Sequence, residues 1–169
     1  SHMPVISIEK KNYTEVNYYD YKGIIFTSSN AIKYLNLKKI DRKINCFCVG
    51  NSTEKKARNF GFQNTFSADG NVNNLKEIIL QNFDSSEGKL LYVSGEIISN
   101  ELDKKLISEG YNVKRVINYT TKHVVKLNED LIKKIKIKMP NIVYVYSQNS
   151  AESFLNIIKN YNLNNLWMN

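Results

Sequence analysis

The chain has 169 residues, is 42% apolar, and carries a formal charge of +8 with a pI near 9.3. That length holds one folded domain, or one domain with part of a second, and the composition excludes a disordered tail. The positive balance favours an acidic partner, whether nucleic acid, anionic metabolite or membrane surface, while no run of about 18 apolar residues is present to cross a bilayer.

Ser1, His2 and Met3 read as a cloning scar, which leaves His123 as the histidine to weigh. No charged-then-apolar leader opens the chain, so a cytoplasmic location is expected. Residues 4–22 hold a short strand at Pro4–Glu9 followed by a polar, tyrosine-rich connection. The apolar run Gly23-Ile24-Ile25-Phe26 then stops at Thr27-Ser28-Ser29-Asn30, and apolar positions recur at Ala31, Tyr34 and Leu35. The period changes there from strand to helix, so a strand runs directly into a capped helix. A helix that starts at the end of a buried parallel strand turns its unsatisfied N–H groups and the positive end of its dipole toward the crevice above the sheet, where anions bind.

The same grammar recurs. Ile44–Val49 is a strand, Gly50-Asn51-Ser52-Thr53 a turn, and a helix follows to Asn59-Phe60-Gly61. Cys46 and Cys48 share one face of that strand as buried thiols, too close for an ordinary disulfide and without partners for zinc. The Gly50–Thr53 turn lacks the Gly-x-x-x-x-Gly-Lys spacing of a nucleotide loop. A third short strand at residues 64–66 precedes the turn Asp69-Gly70-Asn71 and a helix over 72–80. Lys89–Val93 is the continuous apolar run of a central parallel strand and ends at Ser94-Gly95. A helix is expected from about Ser99 to Glu109, with Ser99 and Asn100 as its cap, and then a fifth strand over 111–119.

Five strands alternating with four helices predict a doubly wound, flavodoxin-like α/β domain over residues 23–117. His123–Leu127 reads as a further strand, so residues 118–127 return beside Pro4–Glu9 as a two-stranded linker, and the domain is an insertion. In residues 128–169 a lysine-rich helix (about 129–138) precedes Pro140 and the strand Ile142–Tyr146, then Ser147-Gln148-Asn149-Ser150 opens a second capped helix. One strand and its helix cannot bury their own faces, so this is a partial second lobe. Lys133, Lys134, Lys136 and Lys138 read as a solvated helix face, with no interleaved aromatics to make a nucleic-acid patch.

The succession GIIFTSSNA (23–31), CVGNSTEKKARNFGF (48–62), SADGNVNNL (67–75), LLYVSGE (90–96), ISNELDKKLISEGYNVKRVINYTT (98–121) and IVYVYSQNSAESF (142–154) resembles the uroporphyrinogen-III synthase family. The resemblance implies two similar α/β lobes joined by a two-stranded linker. It implies a lyase of tetrapyrrole and heme biosynthesis that inverts the last ring of hydroxymethylbilane and closes the macrocycle with loss of water, using neither metal nor cofactor. Substrate contacts are implied at the strand-to-helix turns: Thr27, Ser28 and Asn30; Gly50, Asn51 and Thr53; Ser94 and Gly95; and Ser147, Gln148 and Ser150. Tyr119, at the end of the last strand of the continuous lobe, takes the family's tyrosine position as hydrogen-bond donor or general acid.

The family's opening strand and helix and its closing Gly-x-Thr-Ala unit have no counterpart here, so a fragment or a truncated, inactive member is expected. Monomers are implied by the family, with dimerisation or exchange of elements between two chains as the alternative. The competing functional readings are a non-catalytic anion-binding or interaction module and, after it, a basic nucleic-acid binder. For the turn residues the competing reading is helix capping alone, worth about 1 kcal/mol per helix.

Overall fold

The computed structural model describes residues 3–69, 71–124, 126–138, 141–145 and 147–163. The cloning-scar residues Ser1 and His2 lie outside these, as do Gly70, Val125, Pro140, Tyr146 and residues 164–169 of the readings above. The chain divides into two compact units, Lys10–Thr120 and a second made of Ser1–Glu9 with Thr121–Asn169.

Lys10–Thr120 is built on β2 (Tyr21–Phe26), α1 (Ser29–Lys33), β3 (Asn45–Val49), α2 (Asn51–Asn59), β4 (Thr65–Ala68), α3 (Val72–Asn82), β5 (Lys89–Gly95) and α4 (Leu102–Ser108). The last strand, β6 (Asn112–His123), runs on into the second unit, and β1 (Ile6–Lys10) lies beside it. The sheet order is β1-β6-β5-β2-β3-β4, and the pairs β6-β5, β5-β2, β2-β3 and β3-β4 are parallel. Counted within the unit this is order 3-2-1-4-5. The doubly wound parallel sheet is as expected, although flavodoxin itself orders its strands 2-1-3-4-5; both orders reverse at a switch point, here between β2 and β5.

The central strands are buried on both faces, which is why they read as unbroken apolar runs: Ile24, Ile25, Phe26 and Leu90 to Val93 are all within 1% of complete burial. Ile25, Phe47, Leu90 and Tyr92 of the sheet share one core cluster with Leu75 and Ile79 of α3 and Leu102 and Leu106 of α4. Phe47 stacks on Phe66 at 5.2 Å and meets Phe83 edge-on at 6.2 Å. Each such side chain is worth about 1.5–3 kcal/mol of burial.

The second unit has a smaller core of Val5, Leu127 and Ile157, flanked by residues of α5 (Glu129–Ile137) and α6 (Gln148–Asn160). The Ser153 hydroxyl donates to the Val5 carbonyl, and the Leu127 N–H donates to the Tyr161 hydroxyl at 3.0 Å. Val124 N donates to Val5 O and Lys11 N to Asn118 O, both at 2.9 Å, the pattern of an antiparallel ribbon between β1 and β6.

Three local expectations are corrected. The fifth strand and the expected strand at His123–Leu127 are one element, because β6 runs unbroken to His123; Lys126 and Leu127 are not in a strand. α4 starts at Leu102, with Glu101 at its N-cap making no side-chain cap bond, so Ser99 and Asn100 belong to the preceding loop. Residues 142–145 are not in a strand, and Ile142 and Tyr144 are 69% and 76% exposed. Among the described residues no strand pairs with them, and an apolar run without a ladder has nothing to satisfy its backbone as a strand.

Cys46 and Cys48 are fully buried on one face of β3 with sulfurs 3.8 Å apart. The hydrogen bond shared with Cys48, which favours the protonated Cys46, and desolvation hold the Cys46 thiol far above the ordinary thiol range. Both thiols should therefore resist a thiol-specific reagent in native buffer and react fully in guanidinium; prompt labelling of the folded protein would contradict this burial.

Candidate functional site

Because β5, β2 and β3 are adjacent and parallel, their C-terminal ends open on the same edge of the sheet. Phe26 is in register with Val93 and with Cys48, so Thr27, Ser94 and Val49 follow one residue later on neighbouring strands. The turns 27–30, 50–53 and 94–95 are thereby gathered along a single rim of the Lys10–Thr120 unit.

Ser28 caps α1, its hydroxyl accepting the Asn30 N–H at 3.3 Å. Thr27 Oγ1 lies 3.2 Å from the Tyr92 hydroxyl, tying β2 to β5. At α2 the N-cap is Gly50, whose φ of 77° and ψ of 146° belong to a region essentially restricted to glycine. Its carbonyl receives the N–H groups of Thr53 and Glu54, and no side chain caps the helix. A Cβ at Gly50 would meet nothing within 4 Å, so the space above this turn is open. Thr53 is 5% exposed and sits beneath the turn, while Asn51 is exposed at its mouth.

The end of β5 is closed by β6. Gly95 is in register with Tyr119, the pairing having skipped Asn118, so a bulge brings Tyr119 to a place that uninterrupted alternation would give to Asn118. A Cβ built on Gly95 would lie 2.7 Å from two ring carbons of Tyr119 and 2.9 Å from its hydroxyl, so the phenol rests directly on this glycine. Among the described residues nothing hydrogen-bonds the Tyr119 hydroxyl, and β6 continues past Tyr119 to His123 instead of ending there. Asn118 is fully buried, and its Nδ2 donates to the Ala31 carbonyl of α1 at 2.7 Å.

Ser94 is 1% exposed, and Arg115 Nε donates to its hydroxyl at 2.8 Å. Beyond it, the Glu96 N–H donates to the Tyr119 carbonyl at 3.0 Å. The Glu96 carboxylate accepts from Lys11 Nζ at 2.5 Å and from Thr120 Oγ1 at 2.8 Å. These two bonds, Lys11 first, hold the Glu96 carboxyl below its usual range.

Lys11, Tyr92, Glu96, Arg115, Asn118 and Thr120 were not singled out by sequence reasoning. The signal for two of them was present: Arg115 and Asn118 are polar interruptions of an otherwise apolar strand. Two open depressions on this unit are lined by Lys10, Lys11, Asn12, Tyr13, Glu15 and Asn36, and by Glu15, Val16, Asn17, Tyr18, Tyr19 and Lys39. They occupy the connection that follows β1, and neither is lined by the turn residues.

In the second unit Ser147 caps α6, its Oγ accepting the Ser150 N–H at 3.2 Å and lying 2.9 Å from the Ser150 hydroxyl. Gln148 Nε2 donates to Glu152 at 2.8 Å. His123 is an exposed strand end, and among the described residues no group of three His, Cys, Asp or Glu side chains is arranged to hold a metal.

The family model described as uroporphyrinogen-III synthase HemD matches residues 1–168. Among solved structures the chain is similar to the uroporphyrinogen-III synthetase of Helicobacter pylori 26695, with 21% identity and a TM-score of 0.65 over 90% of this chain and 70% of that one. No curated protein sequence matches.

Two glycine substitutions separate shape from conformation at the rim. Gly95→Ala should cost about 1–3 kcal/mol by driving a methyl into the Tyr119 ring, and should alter the near-ultraviolet circular dichroism of the tyrosines. Gly50→Ala should cost a similar 1–3 kcal/mol, through backbone strain alone, with that spectrum unchanged. For Glu96, whose folded value is lowered, the contribution to stability is present above the unfolded carboxyl value and lost as pH falls through the folded one. Glu96→Gln should accordingly flatten the acid limb of a stability–pH curve below about pH 5, and an unchanged limb would show that this carboxylate is not coupled to folding.

Proposed function

The chain belongs to the uroporphyrinogen-III synthase family, hydro-lyases of porphyrin and heme biosynthesis that cyclise hydroxymethylbilane, and from that premise we propose that the rim of the Lys10–Thr120 unit receives the carboxylates of this linear tetrapyrrole. The observation that carries the reading is the gathering of three strand-to-helix turns on one edge of a parallel sheet. A polyanion of extended shape suits a row of backbone N–H donors, which spread the attraction over several carboxylates where a single cation would concentrate it.

Within this reading the side chains divide by burial. Thr27, Ser28, Asn30 and Asn51, with the turn that follows Gly50, are the proposed substrate contacts of this unit. Thr53 and Ser94 hold their turns from beneath. Ser147, Gln148 and Ser150 make the corresponding contribution from the second unit, where Ser147 and Ser150 already form a capped helix start. The two units correspond to the family's continuous lobe and part of its split lobe.

Tyr119 is the proposed donor to the leaving hydroxyl. A phenol carries one O–H donor, and the bulge at Asn118 sets that of Tyr119 over Gly95 at the rim. As the carbon–oxygen bond breaks, the hydroxyl takes the phenolic proton and departs as water. Inversion exchanges the two α-carbons of the last ring: the substituted one bonds to the carbon that lost the hydroxyl, its bond to the neighbouring bridge carbon breaks, and that bridge re-forms at the unsubstituted α-carbon, whose proton is released and restores the phenol, so the reaction needs no external base or oxidant. Holding the flexible chain in a closed geometry contributes more than any single proton transfer. The proposal includes a cytoplasmic location, supported by the finding that no described helix is long and apolar enough to cross a membrane.

The test is direct. With hydroxymethylbilane as substrate and the porphyrins separated after oxidation, the chain should yield the type III isomer in excess of the spontaneous type I; type I alone would overturn the enzymatic reading. Tyr119→Phe should lower turnover about 10- to 100-fold with KM little changed, and unaltered turnover would remove Tyr119 from the chemistry.

A further inference from the structure

We propose that Arg115 is the positioning residue of this rim, pinning the exit of β5 so that the turn meets an anion with donors and Tyr119 keeps its seat on Gly95. The inference rests on the tetrapyrrole reading for its substrate and on independent geometry for the pin. Arg115 stands on β6 in register with Tyr92. Its Nε donates to Ser94 Oγ at 2.8 Å, and its Nη2 donates to the carbonyls of Gly95 at 2.9 Å and Glu96 at 3.2 Å. The guanidinium carbon lies 5.9 Å from the centroid of the Tyr92 ring, and the Tyr92 hydroxyl contacts Thr27 on β2.

One side chain thus spans three consecutive residues of the turn and, through Tyr92, reaches the next turn along. Ser94 Oγ is consumed twice, donating to the Gly95 carbonyl at 3.0 Å while accepting from Arg115, so its part in binding is to transmit the position of the guanidinium.

All three partners of Arg115 are oxygens of the β5 exit itself, so its donors are spent on holding that segment. The planar fork suits this task because one rigid group supplies donors in several fixed directions, which an ammonium cannot match. Registration of Tyr119 depends on the same segment, since Glu96 N donates to Tyr119 O and the phenol rests on Gly95.

The experiment compares wild type, Arg115→Lys and Arg115→Gln by type III isomer formation across ionic strength and by amide hydrogen exchange at Glu96, with α3 amides as the control for global folding. Positioning predicts that both variants lose kcat by about 10- to 100-fold, keep KM and its salt dependence near wild type, and exchange the Glu96 amide faster while α3 stays protected. Full activity and unchanged Glu96 protection in Arg115→Lys would overturn the proposal. So would near-normal kcat with a salt-sensitive rise of KM confined to Arg115→Gln, which would mark a direct contact with substrate. A wild-type chain that makes only the type I isomer would overturn the enzymatic reading and with it the catalytic half of the inference, while the exchange comparison would still decide the pin.

Discussion

Everything at the rim depends on three strands lying side by side and pointing the same way. An antiparallel neighbour would send one strand-to-helix turn to the opposite edge, and a strand inserted between β2 and β5 would separate Thr27 from Ser94 by another sheet spacing. Parallel pairing demands long crossovers, and here α1, α2 and α4 lie in those crossovers, so the turns that leave the strands share one edge. Architecture and the proposed anion recognition are consequently one constraint: the connection that allows the pairing also fixes where the turns lie.

Much of this was legible because parallel, doubly buried strands leave a strong mark. Gly23–Phe26 and Lys89–Val93 stand out as apolar runs, and Ser28, Asn71 and Ser147 announce their helices as side-chain caps that the structure bears out. Legibility failed where tertiary neighbours decide. The extent of β6 is set by the strand beside it, so its tail looked like a separate element. Residues 142–145 have every mark of a strand except, among the described residues, one to pair with. Glu101 begins α4 with no cap bond, so the more cap-like Ser99 and Asn100 misled.

At the candidate site the pattern was similar. The turns could be found from local sequence, but the groups that brace them come from strands 20 to 90 positions away: Arg115 for Ser94, Tyr92 for Thr27, Asn118 for Ala31. Long-range polar contacts leave no periodic trace, only an out-of-place polar residue in an apolar strand. The tyrosine-rich connection after β1, which reads as mere linkage, instead buries Tyr18 and places Lys11 against Glu96. Its ion pairs are exposed and individually weak.

The contact between Gly95 and the Tyr119 ring has a consequence for how this protein can diverge. Neither position is free on its own, since any side chain at 95 occupies the volume of the phenol and any smaller residue at 119 leaves an unfilled hollow over the glycine. Substitution at one site becomes tolerable only after the other has changed, so among descendants of this sequence the two should be inherited as a linked pair, an epistatic lock on the shape of this edge.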